Sequence, residues 1–371
     1  MNAIPLNTEE KALSVVAVSS VQDAAAMWME VVLNSSHAWY RHTHHLAEFH
    51  RCVAEDKQLN ELSFFIKKDD QIIGLAPLLA IKSSAGYLEL SYNGSPTPWP
   101  CFIDEYQKDI KDLEDFTFSY IEKLCSDHDI ERSIFGLNSP KLSHGLHKQS
   151  VHNVTNAHHY IDASFKSHLV HVDDESPARI RASYRRNIRK FSKKYEAQSY
   201  TGLAVTDEIE DIYFKLHVKD AGGQFRSRES YTKMADLARN NEAAFIVARE
   251  KETSKVVGVL VIATFKNAAY DSSVSIDPDY HQDYISHILK MEALRFLNEH
   301  KIEHYELGQI FDQPSMGFIP DRKQKSISFF KEGFARGNEK TSYVTERYFS
   351  EQSLKSKIEQ TEKNLLTYFK L

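Results

Sequence analysis

The sequence predicts an α+β protein built from two copies of one domain, each a mostly antiparallel sheet packed with helices. Two observations indicate this class: one order of strand-like segments occurs twice, and each copy is followed by an amphipathic helix and a short strand. The chain has 371 residues, enough for two domains. With 42% hydrophobic and 26% charged residues, its composition excludes a disordered or low-complexity protein.

The repeated strands lie in residues 62–92 and 243–276. Both segments read as an apolar strand, a polar turn, a second apolar strand, a short turn and a third strand. Their β-branched and aromatic content is typical of hairpins. Gly74 and Gly258 occupy matching places near the start of the second strand, which supports a true repeat rather than a chance likeness.

Each set of strands is followed by a helix with apolar residues at helical spacing, Leu113 to Leu124 in the first copy and Ile285 to Leu297 in the second. Short strands at 130–136 and 302–308 then begin with Ile-Glu and end with Gly. The sequence therefore predicts an N-terminal domain over residues 1–160 and a C-terminal domain over 161–371.

A basic helix over about 176–198 is predicted to open the second domain. Ser176 and Pro177 suit a helix start, and residues 179–194 hold eight cations and no acid. Arg185 and Arg186 are candidates for gripping a phosphate, because guanidinium groups bind phosphate oxygens in pairs. A solvated basic face is the alternative.

Composition narrows the functional classes. A net charge of −6 disfavours a general polyanion binder. The three cysteines are far apart and form no CxxC motif, and the N-terminus lacks a signal-peptide pattern, so a cytoplasmic protein is expected. The apolar run at 256–265 is too short to span a membrane. Histidines between His37 and His50 lack the partners of a metal site, so no metal is predicted.

Several segments, taken in order, resemble the Fem-type (FemAB- and FemX-like) acyltransferases, which carry two GNAT-like domains in tandem. The segments that carry this resemblance are residues 74–78, 92–96, 183–190, 285–297, 304–308 and 328–334. The last contains Phe330-Lys331-Glu332-Gly333-Phe334, similar to the family's Phe-Lys-x-x-Phe signature.

The resemblance implies transfer of an acyl or aminoacyl group to an amine on an amino sugar or on a cell-envelope or polysaccharide precursor, small or nucleotide-linked. No bound cofactor is expected; the donor is acyl-CoA or aminoacyl-tRNA, and tRNA is thus a candidate partner. In CoA-binding GNAT domains a glycine-rich turn holds the pyrophosphate. Residues 277–284 have no glycine and three carboxylates, which disfavours CoA. The alternatives are an aminoacyl-tRNA-dependent ligase of the peptidoglycan-bridge type and a degenerate, non-catalytic phosphosugar-binding protein. The oligomeric state stays open.

The resemblance also places Lys331 near the reacting carbonyl or its phosphate. Glu306 and Asp271, on the last strand and the central strand of the second copy, are candidate bases. The alternative for each is a strand residue paired with a nearby cation. Strand alternation puts Glu306 on the face opposite Tyr305 and Leu307. The remaining predicted substrate-binding residues, expected to line a cleft, are Asn93, Trp99, Tyr270 and Gln309.

Overall fold

A computed structural model describes residues 13–54, 59–138, 144–312 and 318–370, without the side chains of 144–147. The chain divides into two compact units. The first comprises described residues up to Phe165 together with 318–319 and 341–370, and the second comprises 166–312 and 320–340. None of the described helices is long and apolar enough to cross a bilayer.

The first unit contains two sheets and four helices before the chain leaves it. Its strands are β1 (Leu13–Ala17), β2 (Leu59–Glu61), β3 (Phe64–Lys68), β4 (Gln71–Ala76), β5 (Leu79–Lys82), β6 (Leu88–Leu90), β7 (Thr97–Pro98), β8 (Cys101–Phe102), β9 (Arg132–Leu137) and β10 (Ile161–Asp162). Its helices are α1 (Ala24–Leu33), α2 (His44–Val53), α3 (Ile110–Asp127) and α4 (His144–Ala157). Helix α4 follows the short strand that ends the first predicted copy.

One sheet of this unit has the order β1-β3-β4-β8, and β5 begins a second sheet with β2, β6 and β9. The split falls at Pro77, between Ala76 at the end of β4 and Leu79 at the start of β5. Proline has no N–H group for a strand ladder. The next N–H, of Leu78, donates to the Ser63 hydroxyl at 2.9 Å instead of to a neighbouring strand.

The second unit is a single six-stranded sheet with helices. Its strands are β11 (Phe165–His171), β12 (Tyr195–Tyr200), β13 (Ala243–Glu250), β14 (Val256–Phe265), β15 (Ala268–Ile276) and β16 (His304–Gln309). Its helices are α5 (Ser176–Arg179), α6 (Ala182–Phe191), α7 (Asp207–Ala221), α8 (Arg228–Arg239), α9 (Ile285–Glu299) and α10 (Arg322–Ala335). The order is β12-β13-β14-β15-β16-β11, antiparallel except for the parallel pair β15/β16.

The chain then returns to the first unit through β17 (Glu339–Tyr348) and α11 (Glu351–Phe369). Residues Tyr343–Tyr348 of β17 pair antiparallel with β9. The predicted division at 160/161 thus differs from the structure at the C-terminal end, because strand pairing joins residues 341–370 to the first unit. That pairing links residues about 200 positions apart, which no local pattern records.

The basic segment is shorter and less regular than predicted. It forms the short helix α5, breaks at Ile180 and Arg181, and resumes as α6, which ends at Phe191. Ile180 adopts an extended backbone and is buried, and the Arg181 N–H donates to the Gly333 carbonyl at 2.8 Å. A tertiary hydrogen bond replaces the helical one at this point, so a continuous helix over 176–198 is wrong.

Trp99 and Glu114 lie together in the core of the first unit. The Trp99 indole N–H donates to a Glu114 carboxylate oxygen at 3.0 Å, and both side chains are fully buried. Burial raises the pKa of Glu114 to about 7, although hydrogen bonds from Ser150 and Trp99 act in the opposite direction. The folded state is therefore more stable when the Glu114 carboxyl is protonated.

We expect the first unit to lose stability as pH rises through this range. Because the folded pKa of Glu114 exceeds the unfolded value, its favourable contribution is complete below pH 4.5 and is lost between pH 4.5 and about 7. The side chain of Glu114→Gln stays neutral at every pH. The free energy of unfolding of this variant, relative to that of the wild type, should therefore be about 3 kcal/mol higher at pH 8 than at pH 5. Urea unfolding at both pH values measures this. An unchanged difference would show that the Glu114 pKa is not raised.

Candidate functional site

In the second unit two parallel strands separate at the level of the predicted site residues. Strands β15 and β16 pair only from Ala268/His304 to Tyr270/Glu306. Beyond that point β15 continues beside β14 with a register shift, and β16 continues beside β11 with another. Bulges bend strands and are frequent next to active sites. The result is a gap between the two strands after Tyr270 and Glu306.

Gly308 forms the edge of this gap. Its φ of +92° lies in the left-handed region that favours glycine. A Cβ atom there would lie 3.1 Å from Lys331 Nζ and 3.6 Å from Tyr270 Oη. The Lys331 ammonium and the Tyr270 hydroxyl therefore both lie close to a backbone position that carries no side chain. Gln309 follows as the last residue of β16.

Helix α10, which carries Lys331, is fixed by aromatic packing. Phe330 and Phe334 flank the lysine and pack against Tyr184 of α6 and His287 of α9. A Cβ atom at Gly333 would overlap the Tyr184 ring, so only glycine permits this approach. This packing fixes the helix that carries Lys331, whose side chain is half-buried.

Three lysines and two carboxylates lie around the gap. Lys340 pairs with Glu306 at 2.8 Å, and Lys290 pairs with Asp271. Among the described residues, no carboxylate forms an ion pair with Lys331. The two predicted bases are therefore each held by a lysine, whereas the Lys331 charge is left to face the gap.

The Asp271–Lys290 pair is deeply buried. Lys290 Nζ also donates to the Tyr305 hydroxyl at 3.2 Å, and that hydroxyl lies 3.4 Å from Asp271 Oδ1. Burial lowers the pKa of Lys290, and Asp271 acts in the opposite direction. Burial, together with the Asp271 carboxylate, raises the pKa of Tyr305 well above its ordinary value. Sequence reasoning missed Lys290, although its helical spacing from Leu294 and Leu297 put it on the apolar stripe of α9.

His168 is a second residue that the sequence did not single out. It pairs with Gly308 across β11 and β16, is buried, and has Nε2 3.1 Å from the Ser328 hydroxyl. Burial, followed by the Lys331 charge, lowers the pKa of His168, so the ring is neutral at physiological pH. Nothing local marked it, because its position opposite Gly308 depends on a strand pair more than 130 residues apart.

Arg185 lies at a different place in the second unit. Its guanidinium donates to the Ala178 carbonyl at 2.5 Å, and it lines a cavity of about 430 Å³. The cavity is lined by Pro177, Ile180, Arg185, Ile188, Arg189 and Met291. Arg186 is exposed and does not line it. A cavity with two guanidinium groups and an apolar floor suits an anionic group attached to an apolar one.

The two predicted site residues of the first unit, Asn93 and Trp99, make contacts within that unit. Asn93 has a left-handed backbone (φ 54°), and its amide donates to the His50 carbonyl at 2.9 Å. Trp99 is fully buried and packs on Phe118 and Phe135. The prediction that Trp99 lines a cleft is therefore wrong, since its side chain has no exposed surface to offer a substrate.

The turn before α9 is filled by its own acidic residues. The buried Asp277 carboxylate accepts the Asp279 N–H at 3.1 Å and the Lys219 ammonium at 2.6 Å, and Lys255 lies 3.4 Å away. The N–H that would meet a phosphate at such a turn thus already has an intramolecular acceptor. Across the described residues, no cluster of three or more potential ligands could hold a metal ion.

Residues 178–313 match the family model of the acetyltransferase (GNAT) domain. The crystal structure of FemX has a similar fold, with a TM-score of 0.64 at 11% identity over 90% of this chain and 98% of that one. Residues 178–313 are thus similar to a GNAT acetyltransferase domain, and the chain has a Fem-type fold. The predicted α+β class and the Fem-type resemblance are confirmed, and the gap beside Gly308 lies in the GNAT domain.

Two further structures share the fold of the chain. L-PGS from Bacillus licheniformis has a TM-score of 0.52 at 12% identity, covering 84% of this chain and 90% of that one. The C-terminal domain of a putative lysylphosphatidylglycerol synthetase from Agrobacterium fabrum has a TM-score of 0.53 at 12% identity, covering 92% and 95%. No curated protein matches the chain by sequence.

Proposed function

We propose that this chain is an acyltransferase that forms an amide on the amino group of an amino sugar or of a cell-envelope precursor. One observation carries the proposal: the Lys331 ammonium and the Tyr270 hydroxyl both lie close to Gly308, where two strands part and where the other two lysines are paired with carboxylates. Acyl transfer passes through a tetrahedral intermediate whose oxygen is negatively charged. A fixed cation and a hydroxyl beside an open backbone position suit that oxygen.

In this mechanism the residues around the gap have separate roles. The acceptor nitrogen forms a bond to the acyl carbon, the bond from that carbon to the leaving group breaks, and the amine proton ends on the leaving group. Lys331 and Tyr270 stabilise the charge on the carbonyl oxygen during this step. Glu306 and Asp271 neutralise Lys340 and Lys290, which leaves Lys331 as the cation that meets the substrate.

The acidic turn bears on the donor. Asp277 accepts the Asp279 N–H and is surrounded by Lys219 and Lys255, so a CoA pyrophosphate would have to displace a buried carboxylate there. This favours aminoacyl-tRNA over acyl-CoA as the donor. The Agrobacterium fabrum structure of similar fold is a domain of a putative lysylphosphatidylglycerol synthetase. The product named there contains a lysyl group, which is an aminoacyl group, and this supports the same choice.

The cavity beside α6 bears on the acceptor. Arg185 and Arg189 give it two cations, and Ile180, Ile188 and Met291 give it apolar walls. We assign it to a phosphate of the acceptor or donor, and a nucleotide-linked amino sugar supplies one. Arg186, exposed on the same helix, adds charge at the surface.

A thermal-shift screen tests donor and acceptor together. Acetyl-CoA, longer acyl-CoAs, uncharged tRNA and UDP-amino sugars are added to the purified protein, and a ligand at 100 times its Kd adds ~2.7 kcal/mol of stability. We expect shifts with tRNA and with UDP-amino sugars and none with CoA esters. A shift with CoA esters alone would overturn the choice of donor, and silence with every amino sugar would overturn the choice of acceptor.

The assignment of the cavity to a phosphate is tested by arginine substitutions. Arg185→Ala combined with Arg189→Ala removes both guanidinium groups of the cavity and should weaken binding of the phosphate-bearing ligand and flatten its salt dependence. Lys215→Ala removes an exposed cation of α7 that does not line the cavity, and it serves as the matched control. Equal affinities for the double variant and the control would mean that the basic helix is a solvated surface and not a phosphate site.

A further inference from the structure

Helix α11 presents an apolar stripe to solvent. All of its residues are described, and Ser353 is its only buried one. Leu354, Ile358 and Tyr368 are 39%, 56% and 45% exposed, and Leu366 and Phe369 extend the apolar surface at the C-terminal end. Large apolar side chains exposed in a row on one helix are unusual for a surface that stays in water.

The spacing of the stripe is that of a coiled coil. Leu354, Ile358, Thr361, Leu365 and Tyr368 follow one another at steps of four, three, four and three residues. This is the a/d repeat of a two-helix seam, with Ile358 and Leu365 at a and the other three at d. A surface helix that packs on its own domain has a wider apolar face.

The attachment of α11 turns this seam away from the first unit. The Ser353 hydroxyl donates to the Glu131 carbonyl at 2.8 Å, and the Phe349 N–H just before the helix donates to the same carbonyl. Ser353 occupies a c position, on the half of the helix opposite the a/d seam. The domain therefore holds the first turn of the helix by its polar side and leaves Leu354, Ile358 and Tyr368 of the seam exposed, while Thr361 and Leu365 are half-buried.

We propose that this seam binds the α11 seam of a second copy of the chain, as a parallel two-stranded coiled coil. Charge complementarity selects this partner. Lys357 lies at g and Glu362 at e, five residues later, which is the separation that opposes g and e of two parallel helices. Two copies thus place Lys357 of each beside Glu362 of the other, twice by symmetry.

The same features argue against a lipid surface. Helices that lie in a membrane interface have a wide apolar face and a Lys- and Arg-rich polar face. The polar side of α11 alternates acids and bases, with Glu359 and Glu362 against Lys355, Lys357 and Lys363. The seam spans little more than two heptads, so the dimer is reversible and depends on protein concentration.

Sedimentation velocity of the full chain over a concentration series tests the proposal. The wild type should show a monomer–dimer equilibrium. Ile358→Lys puts a charge in the seam and should weaken the dimer at least ~10-fold. Gln360→Lys adds the same charge at an exposed c position and should leave the dimer intact. Because both positions are exposed, both variants should fold, which far-UV circular dichroism checks.

A charge swap tests the register. Lys357→Glu places two acids opposite each other and should weaken the dimer, whereas Lys357→Glu combined with Glu362→Lys restores opposite charges and should recover it. A wild type that stays monomeric throughout would overturn the proposal, as would a double swap no better than the single one. Flotation of monomeric wild type with anionic phosphatidylserine vesicles, lost in Ile358→Lys, would assign the stripe to lipid instead.

Discussion

Lys331→Ala is expected to lower kcat at least ~10²-fold with little change in folding, in line with the loss of one oxyanion-stabilising group. The reason is the position of its ammonium beside Gly308 and Tyr270, without a carboxylate partner among the described residues. Turnover is measured with the donor and acceptor that the ligand screen yields. Lys331→Arg retains the charge and should keep part of the activity.

The matched control is Lys323→Ala, which removes an exposed lysine from the same helix. Its kcat and melting temperature should equal those of the wild type. If Lys331→Ala behaved like this control, the lysine would be a surface residue between two packed aromatics, and the gap beside Gly308 would lose its assignment as the reacting centre.

Asp271→Asn is expected to cost about 3–5 kcal/mol of unfolding free energy, because it leaves the Lys290 ammonium buried without its counter-charge. Asp271→Asn combined with Lys290→Met removes both charges and should recover most of that loss. Urea unfolding measures all three proteins, and the double variant separates the cost of a lone charge from the net worth of the pair.

The exposed pair Lys355–Glu351 on α11 provides the comparison. Glu351→Gln should cost less than about 1 kcal/mol, because solvent screens both partners. An Asp271→Asn variant as mild as Glu351→Gln would mean that Lys290 does not carry an uncompensated charge in the fold. In that case Asp271 would not neutralise Lys290, and Lys331 would not be left as the cation that faces the gap.

Much of the architecture follows from short-range pattern. Period-two and period-3.6 alternation of apolar residues marked the hairpins at 62–92 and 243–276 and the helices α3 and α9, because each pattern is set by neighbours within one or two turns or strands. Two features of the structure depart from these predictions, one for a local reason and one for a tertiary reason. Pro77 splits a strand because it lacks an N–H group, and Ile180 breaks the basic helix because it is drawn into the core.

The candidate site was predicted only in part. Lys331, Tyr270 and Gly308 lie on α10, β15 and β16. The resemblance to Fem-type proteins singled out Lys331, and Tyr270 was predicted to line a cleft. Glu306 and Asp271 were chosen as bases from strand position, yet lysines 34 and 19 residues further along the chain hold them. A sequence shows that an acid is present but does not show which cation packs against it.

The sequence by itself determined the α+β class, the repeat and the aromatic-flanked lysine, since apolar periodicity and a short motif are readable from adjacent residues. Only the tertiary structure decided which lysine beside the gap has no carboxylate partner among the described residues, that Trp99 is buried, and that residues 341–370 rejoin the first unit. Ion pairing and burial depend on groups brought together from distant parts of the chain. Their free energies are therefore properties of the fold and not of any local segment.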